Sequence, residues 1–508
     1  MTELLEYHYP KEFFEVGDIK KIITRFPPEN SGTLHLGHIK AMEIDFSFAK
    51  ENGGECILRF DDTNPNSECE EYYNAIREDV LWMGYDFCKE TNTSDYFDIL
   101  YEYAVKLITN DNAYICELSS DELRRHRHEQ LPSPYRNRSV EESLKLFEEM
   151  KNGLHEENTM TLRMKGNLES TNTTLLDPVM YRIIKKIHGK TKDKWIIYPS
   201  YDYSHGIIDS IEGITHSFCT KEYEIRREQY YWFIEKLNMR APYVYEFGRM
   251  EVENGTLSKR NIRTMIENKI VSGWDDPRLL TIKGLRRRGY TQDALKEFCR
   301  NAGITKNEVT LSKMLLENII RDKLNPIVFR KLAVFNPLRI IINNFESDII
   351  CECFDFPFDK NSSKRINILT REFYIDSSNF KEIDEKDFYG LAPGKTIRIK
   401  YGPFVKFESY DKQNNVVYVN LTNPQNPKKI KGILNWVNNY YNEIIIRTFD
   451  EMIMNETICY IESNVNINTV QIEDKFQFEK YGYYCVDKDT LTNDKLIFNE
   501  IVKLKSSY

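Results

Sequence analysis

The order of apolar and polar positions divides this chain into blocks of different period. "IKKIITRF" (residues 19–26) is a β-branched run that stops at Pro27-Pro28, as a strand interior must. Apolar residues then recur at helical spacing through "HLGHIKAMEIDFSFAKENG", residues 35–53, which closes at Gly53-Gly54. "ECILRFDDTNP" reads as a second strand ending in turn-forming residues, and "CEEYYNAIREDVLWMGYD" as a second helix. Strand, helix, strand, helix in short order predicts an α/β unit with a parallel, doubly wound sheet. Residues from about 93 to 190 break the rhythm; they are polar and helix-rich, with Pro132 and Pro134 marking a loop, and read as an insertion. "KWIIYPSYDY", from Lys194, reads as a strand that resumes the sheet, and residues 261–328 are helical and basic. Beyond these, "PLRIIINNF", "KTIRIKYG", "NNVVYVNLT" and "YNEIIIRTFD" are short alternating strands punctuated by Asn and Gly, the pattern of β-barrels. The predicted divisions are 1–92, 93–190, 191–260, 261–328 and 329–508.

Composition narrows the class. At 508 residues the chain exceeds one ordinary domain, and 41% hydrophobic with 29% charged residues fits a soluble globular protein. A net charge of −9 gives no global sign of nucleic-acid binding, although an acidic total can carry a basic face. The ten cysteines are scattered without a C-x-x-C pair, which argues against structural zinc. The first 21 residues are acidic and lack a long apolar core, so no secretory signal is read there. No run approaches the roughly 20 apolar residues of a membrane helix, so no membrane partner is expected. The expectation is a cytoplasmic protein with free thiols.

Two segments carry chemistry. "RFPPENSGTLHLGHIK" places a Gly turn between a strand and a helix, and His35 and His38 sit at the helix opening. Helix N-termini offer free N–H groups and partial positive charge to phosphates. Two histidines three apart could instead hold a metal or simply pack. A metal needs further ligands, and none of the nine histidines follows nearby in sequence, so phosphate contact is the favoured reading and no metal site is expected. "GTLSKRN" places Lys259 and Arg260 in a polar loop. Alone it reads as a solvated basic loop; beside a phosphate-binding turn, a lysine there supplies the positive donor that transfer at an α-phosphate requires.

With these residues in hand a resemblance becomes visible. "HLGH" and "LSKR" resemble the two signature motifs of class I aminoacyl-tRNA synthetases. "RFPPENSGTLHLGH", "LRFDDTNP", "SPYRNRSVEE", "IYPSYDYSHGIIDSIEGITHSFCTKEY", "GWDDPRLLTIKGLRRRGYT" and "FQFEKYGYYCVD" together resemble the glutaminyl-tRNA synthetase family, from about residue 20 to residue 500. The resemblance implies a Rossmann-like catalytic domain split by an acceptor-stem-binding insertion, a helical connector, and C-terminal β-barrel anticodon-binding domains. It implies ATP-dependent ligation of glutamine to tRNA(Gln) through a glutaminyl-adenylate, with attack by the 2′-hydroxyl of the terminal adenosine. Mg²⁺ would arrive with ATP, and a monomer is expected. His35, His38 and Lys259 take catalytic roles; Glu29, Gly37, Ser258 and Arg260 join them around ATP. Arg25, Asp61, Tyr201, His205 and Cys219 form the amino-acid set, and Arg330, Gln477 and Lys480 the anticodon set.

Glutamyl-tRNA synthetases are the nearest competitor. His205 stands where those resembling this chain usually have a small residue, and Cys219 where they usually have Arg. The physics agrees, since a γ-carboxylate wants a guanidinium and an amide wants mixed donors and acceptors such as a Tyr hydroxyl. Val244 points the other way, because the glutaminyl family commonly has Gln there. Tyr389-Gly390 lacks the family's Lys-Arg pair before "LAPG", and Lys480 replaces an Arg. An inactive tRNA-binding homologue is the third reading, opposed by the intact His35, His38 and Lys259.

Overall fold

The computed structural model describes residues 9–504 other than 18, 67, 68, 130, 254, 256, 257 and 360. The chain divides into two compact units, residues 3–260 with 296–311, and residues 261–295 with 312–508. In the first unit, β1 (Ile23–Phe26), β2 (Glu55–Phe60) and β3 (Lys89–Asn92) form a parallel sheet in that order. Helix α1 (Leu36–Met42) leaves β1, widens into a π turn over Glu43–Ser47, and finishes as a short helical turn, Phe48–Glu51. All five π-turn residues are buried, and such bulges are frequent at functional sites. Gly54 ends the reversal into β2. A Cβ there would lie 2.2 Å from the Ile22 carbonyl oxygen, so only glycine fits.

Helix α2 (Glu70–Trp82) buries Ala75, Ile76 and Val80 between β2 and β3. Later in the chain come α3 (Tyr201–Ile211), β4 (His216–Thr220), α4 (Arg227–Leu237) and β5 (Tyr243–Phe247), with β4 and β5 paired in parallel. The Thr215 N–H donates to the Ile23 carbonyl at 2.8 Å, which brings the start of β4 alongside β1. Phe13, Ile44, Phe48, Phe218, Tyr245 and Phe247 fill the space behind these strands. Each such side chain contributes about 1.5–3 kcal/mol by leaving water.

Between β3 and α3 lies a four-stranded antiparallel sheet of Ala113–Cys116, Thr161–Met164, Val179–Ile183 and Ile197–Pro199. Helices Phe97–Thr109 and Val140–Lys151 bury Leu100, Leu107, Phe147 and Met150 in its core. Here the structure corrects the reading of "KWIIYPSYDY". Only Ile197–Pro199 is strand, and it pairs with Val179–Ile183 of the insertion rather than with the parallel sheet. Pro199 ends it, and the Ser200 hydroxyl caps α3 by accepting the Tyr203 N–H at 3.3 Å. The alternation that suggests a strand is a strand end followed directly by a helix start.

The second unit holds two seven-stranded sheets. One is cored by Ile444, Ile446, Phe478, Tyr484 and Phe498, the other by Leu338, Ile340, Val417, Val419 and Trp436. The basic triplet of helix Ile282–Arg288 is committed internally. Arg286 Nε donates to Glu473 at 2.7 Å, Arg287 grips Asp487 with two bonds of 2.9 Å, and Arg288 donates to the Glu500 carbonyl at 3.1 Å.

Candidate active site

A cleft of about 480 Å³ opens beside the C-terminal ends of β1, β2 and β4, with Glu29, His38, Asp61, Tyr201 and Cys219 on its walls. The two signature histidines sit at one end. His35 is the N-cap of α1, and its Nδ1 accepts the Gly37 N–H at 3.1 Å; His38 Nδ1 accepts the His35 N–H at 3.1 Å. The pair thus forms a capping box, with imidazoles in place of the usual hydroxyl and carboxylate. A neutral imidazole carries one proton, so Nδ1 acceptance puts it on Nε2 in both rings. Burial, then Lys259 and Arg249, bring His35 down to about 3, and burial with His35 and Lys259 holds His38 well below the usual range. Each ring therefore stays neutral and offers Nε2–H as a donor, a suitable partner for phosphate oxygen.

Lys259 Nζ donates to the Glu29 carbonyl at 3.0 Å, and Glu29 is bridged to Asp61 across the ends of β1 and β2. Glu29, His35, Gly37, His38 and Lys259 therefore gather at one end of the cleft. Lys259 and Arg260 begin a helix, Lys259–Glu267, instead of lying within a loop; Ser258 precedes it, and Thr256 and Leu257 of the expected loop lie outside the described residues. Among the described residues no group of three His, Cys, Asp or Glu side chains could hold a metal.

The other end is built on a buried polar floor. Asp209 accepts from Arg25 Nε at 3.1 Å, Arg59 Nη1 at 2.7 Å, Ser217 Oγ at 2.8 Å and Tyr230 OH at 3.0 Å. Burial pushes its carboxyl up, but the guanidinium groups of Arg25 and Arg59 outweigh that and hold it far below the ordinary carboxylate range. Arg59 also grips Glu212, at 2.9 and 2.6 Å. Arg25 departs from expectation. It is fully buried and does not line the cleft. Its donors go to Asp209, the Phe218 carbonyl at 2.7 Å, Ser217 at 2.8 Å, His205 Nε2 at 2.7 Å and Cys219 Sγ at 3.4 Å. A guanidinium with five N–H groups and a facing carboxylate is saturated by these partners, and it underlies the wall of the cleft.

His205 sits in the same layer. Nε2 accepts from Arg25, so the 3.6 Å approach to Asp209 is not an ion pair; burial, aided by Arg25 and Arg59, outweighs the opposite pull of Asp209 and brings this ring to about 3. It stacks under Tyr201 at 4.6 Å and, with Cys219, Tyr230 and Val244, lines a smaller cavity of about 30 Å³. The wall facing the cleft is therefore Tyr201 and Cys219, with Asp61 opposite. The adjacent Asp62 is structural, since its carboxylate takes the Ser94 N–H at 2.8 Å and hydroxyl at 2.5 Å. Sequence reasoning missed Arg182. Its guanidinium lines the cleft, Nη2 reaches the Thr63 carbonyl at 3.4 Å, and Nε is buried without a partner. The available signal was an arginine between buried Tyr181 and Ile183 in a strand.

In the second unit the anticodon set separates. Arg330 and Gln477 are register partners in adjacent strands, and both are buried, Arg330 to 3% exposure. Arg330 Nη1 donates to the Asn325 and Val328 carbonyls at 2.8 Å each, and Nη2 to Asn325 Oδ1 at 2.6 Å. Helix C-termini leave carbonyls unpaired, and Arg330 satisfies those that follow helix Lys313–Leu324. Gln477 Nε2 donates to the Tyr483 hydroxyl at 3.1 Å. Only Lys480 is exposed, on a left-handed residue with φ 70°, its Nζ on the Ile433 carbonyl. Arg330 and Gln477 thus carry internal hydrogen bonds, while Lys480 presents its side chain at the surface.

Residues 21–326 match the catalytic domain of class I tRNA synthetases (E and Q), and residues 329–423 match the anticodon-binding domain of the same group. The cytoplasmic glutamine–tRNA ligase of Arabidopsis thaliana is 43% identical over 96% of this chain and 66% of its own length. A glutamine–tRNA ligase of Clostridium perfringens is 39% identical over 96% of this chain and 95% of its own. This chain therefore spans about two thirds of the plant relative and nearly all of the bacterial one. Among solved structures, a glutamate tRNA ligase from Elizabethkingia meningosepticum aligns over 61% of this chain and 70% of its own, with 21% identity and a TM-score of 0.46. The chain belongs to the class I tRNA synthetases of the glutamate and glutamine branch and, within that branch, to the glutamine–tRNA ligases.

Proposed function

We propose that this protein ligates glutamine to tRNA(Gln) in two steps at the cleft, using ATP. The glutamine carboxylate attacks the α-phosphate and pyrophosphate leaves; the 2′-hydroxyl of the terminal adenosine then attacks the adenylate. The observation that carries the reading is the polarity of the cleft. One end gathers neutral imidazole donors and Lys259; the other presents Tyr201 and a thiol over a guanidinium already neutralised by Asp209. Lys259 stabilises charge as it builds on the leaving pyrophosphate, while His38 holds phosphate oxygen through Nε2–H, with His35 setting its position. Asp61 meets the α-ammonium group. Tyr201 offers an amide both a donor and an acceptor. Mg²⁺ enters with the nucleotide, mostly on phosphate oxygens and water. The insertion would hold the acceptor stem and the C-terminal sheets the anticodon, and the site of action is the cytoplasm.

Charging of total tRNA with labelled glutamine and labelled glutamate tests this. Glutamine is expected to win by at least a hundredfold, because a γ-carboxylate facing a neutralised guanidinium pays several kcal/mol of desolvation. Arg182 and Val244 are what favour the glutamyl reading, since one is a cation on the cleft wall and the other an aliphatic beside the amide pocket. Equal charging of the two amino acids would transfer the assignment to that reading or to dual specificity. Failure to charge either would leave a tRNA-binding homologue.

A further inference from the structure

Arg163 lies in the insertion's sheet, in strand Thr161–Met164, paired with Tyr114 on one side and Val179 on the other. It is 2% exposed, and its Nε is buried without a hydrogen-bond partner. Among the described residues its guanidinium meets no acceptor and no carboxylate within salt-bridge reach, in contrast to Arg25, Arg59, Arg287 and Arg365, which each hold carboxylates. Burying an ion with no counter-ion in direct contact is costly. A ligand that supplied that contact would relieve the cost.

The surroundings specify that ligand. Arg163 borders a small pocket of about 20 Å³ with Leu123, His126, Arg127, Ser133 and Asp177. Burial and the neighbouring Arg127 work against the Arg163 charge more strongly than Tyr114, Cys116 and Asp177 favour it. Asp177 also reaches the pocket, but its carboxylate is already engaged by the Tyr114 hydroxyl at 3.0 Å, Arg136 Nε at 2.9 Å and the Gly166 N–H at 2.7 Å. The cover is helix Ser120–His128, which buries no residue of its own and ends in Arg125, His126, Arg127 and His128. A helix with so few buried contacts shifts at low cost, so the small resting volume does not limit the ligand.

We propose that the Arg163 pocket is a seat for one backbone phosphate of the RNA substrate, with Arg163 and Arg127 as its donors. The proposal rests on the tRNA-charging reading above and adds the anchoring point on the insertion. A guanidinium is suited to it, because its planar fork binds two phosphate oxygens at once.

The test uses the full chain, its Arg163→Met and Arg163→Lys variants, and tRNA binding across a series of salt concentrations. One lost phosphate contact should flatten the slope of log affinity against log salt by about 0.7–0.9 for Arg163→Met. Arg163→Lys should keep the parent slope. The free Arg163→Met protein should melt at or above the parent temperature, since an uncompensated buried charge has been removed. An arginine with a structural role gives the opposite pattern, a lower melting temperature with RNA binding unchanged, and that result would overturn the proposal. An unchanged salt slope in Arg163→Met overturns it as well. Inorganic phosphate provides the remaining arm. If it raises the melting temperature of the parent but not of Arg163→Met while both bind tRNA alike, the seat belongs to a free oxyanion and not to RNA. A parent that binds no tRNA would defeat the charging reading and this proposal together, whereas a bound but uncharged tRNA defeats only the former.

Discussion

Asp45 keeps a carboxyl at 2% exposure inside the π turn, with Oδ1 unpartnered and Arg25 Nη1 4.0 Å away. Burial pushes its carboxyl well above the ordinary range, and the pull of Arg25 does not cancel that. The folded state therefore takes up a proton that the unfolded chain releases near pH 4. Its contribution to stability is full below that pH and declines as pH rises toward the folded value. Asp45→Asn keeps the shape without the ionisation, so it should melt above the parent at pH 7–8, with the two melting curves converging at about pH 4. At the opposite end of the cleft, His38→Ala or Lys259→Ala should lower the rate of adenylate formation by about a hundredfold, or about 3 kcal/mol, with tRNA affinity nearly unchanged. Unchanged single-turnover rates in both would remove these residues from the chemistry. The doubled role of the ring can be separated. His38→Asn places an amide oxygen near Nδ1 and should keep the cap but lose the rate, while His38→Gln should do the reverse. Cys219→Arg should move preference toward glutamate at a cost in glutamine turnover, because it adds a second guanidinium beside Arg25, now 3.4 Å from the thiol. A ratio of glutamine to glutamate charging that does not move would show that the wall at Cys219 does not read the side chain.

At the scale of elements, β1, α1 and β2 were legible because period, proline and glycine all agree there. The π turn was not, since its five residues keep a helix-like apolar pattern and only the backbone count differs. The strand Ile197–Pro199 was misassigned for a related reason, as no local signal says which sheet a strand will join. Motif reading located the cleft residues but not their depth. Arg25 and Arg330 match family positions, yet both were found saturated by partners far away or hidden in loop carbonyls, which sequence spacing does not reveal. That changes the expectation for Arg330→Ala. Loss of three charge-assisted bonds after helix Lys313–Leu324 should destabilise the second unit by about 2–4 kcal/mol, visible in chemical denaturation. Discrimination against altered anticodons should fall by about 1–3 kcal/mol as a consequence of that loosening. A variant that melts normally and still misreads anticodons would return Arg330 to direct base contact.

For the whole molecule, the net charge of −9 says little about where free cations lie, because basic runs such as the triplet Arg286–Arg288 are spent on internal partners. The chain crosses between its two compact units more than once. It passes from one compact unit to the other at residue 260, returns at 296, and leaves again at 311. The returning piece is structural for the first unit. Val309–Leu311 pairs with Met250–Val252, and Arg300 Nε bonds Glu43 of the π turn. A fragment cut at 260 therefore lacks a strand partner and a counter-ion for the cleft's own helix, and should expose apolar surface to a fluorescent dye that a fragment cut at 311 excludes. On the ribosome the same geometry imposes a delay. Val252 and Val309 are 57 positions apart, so the half-built cleft must wait roughly 3–11 s at 5–20 residues per second before its last strand arrives. For that interval the nascent chain holds an unpaired strand edge, and a chaperone that binds such edges should associate with it during synthesis and release once residue 311 has emerged.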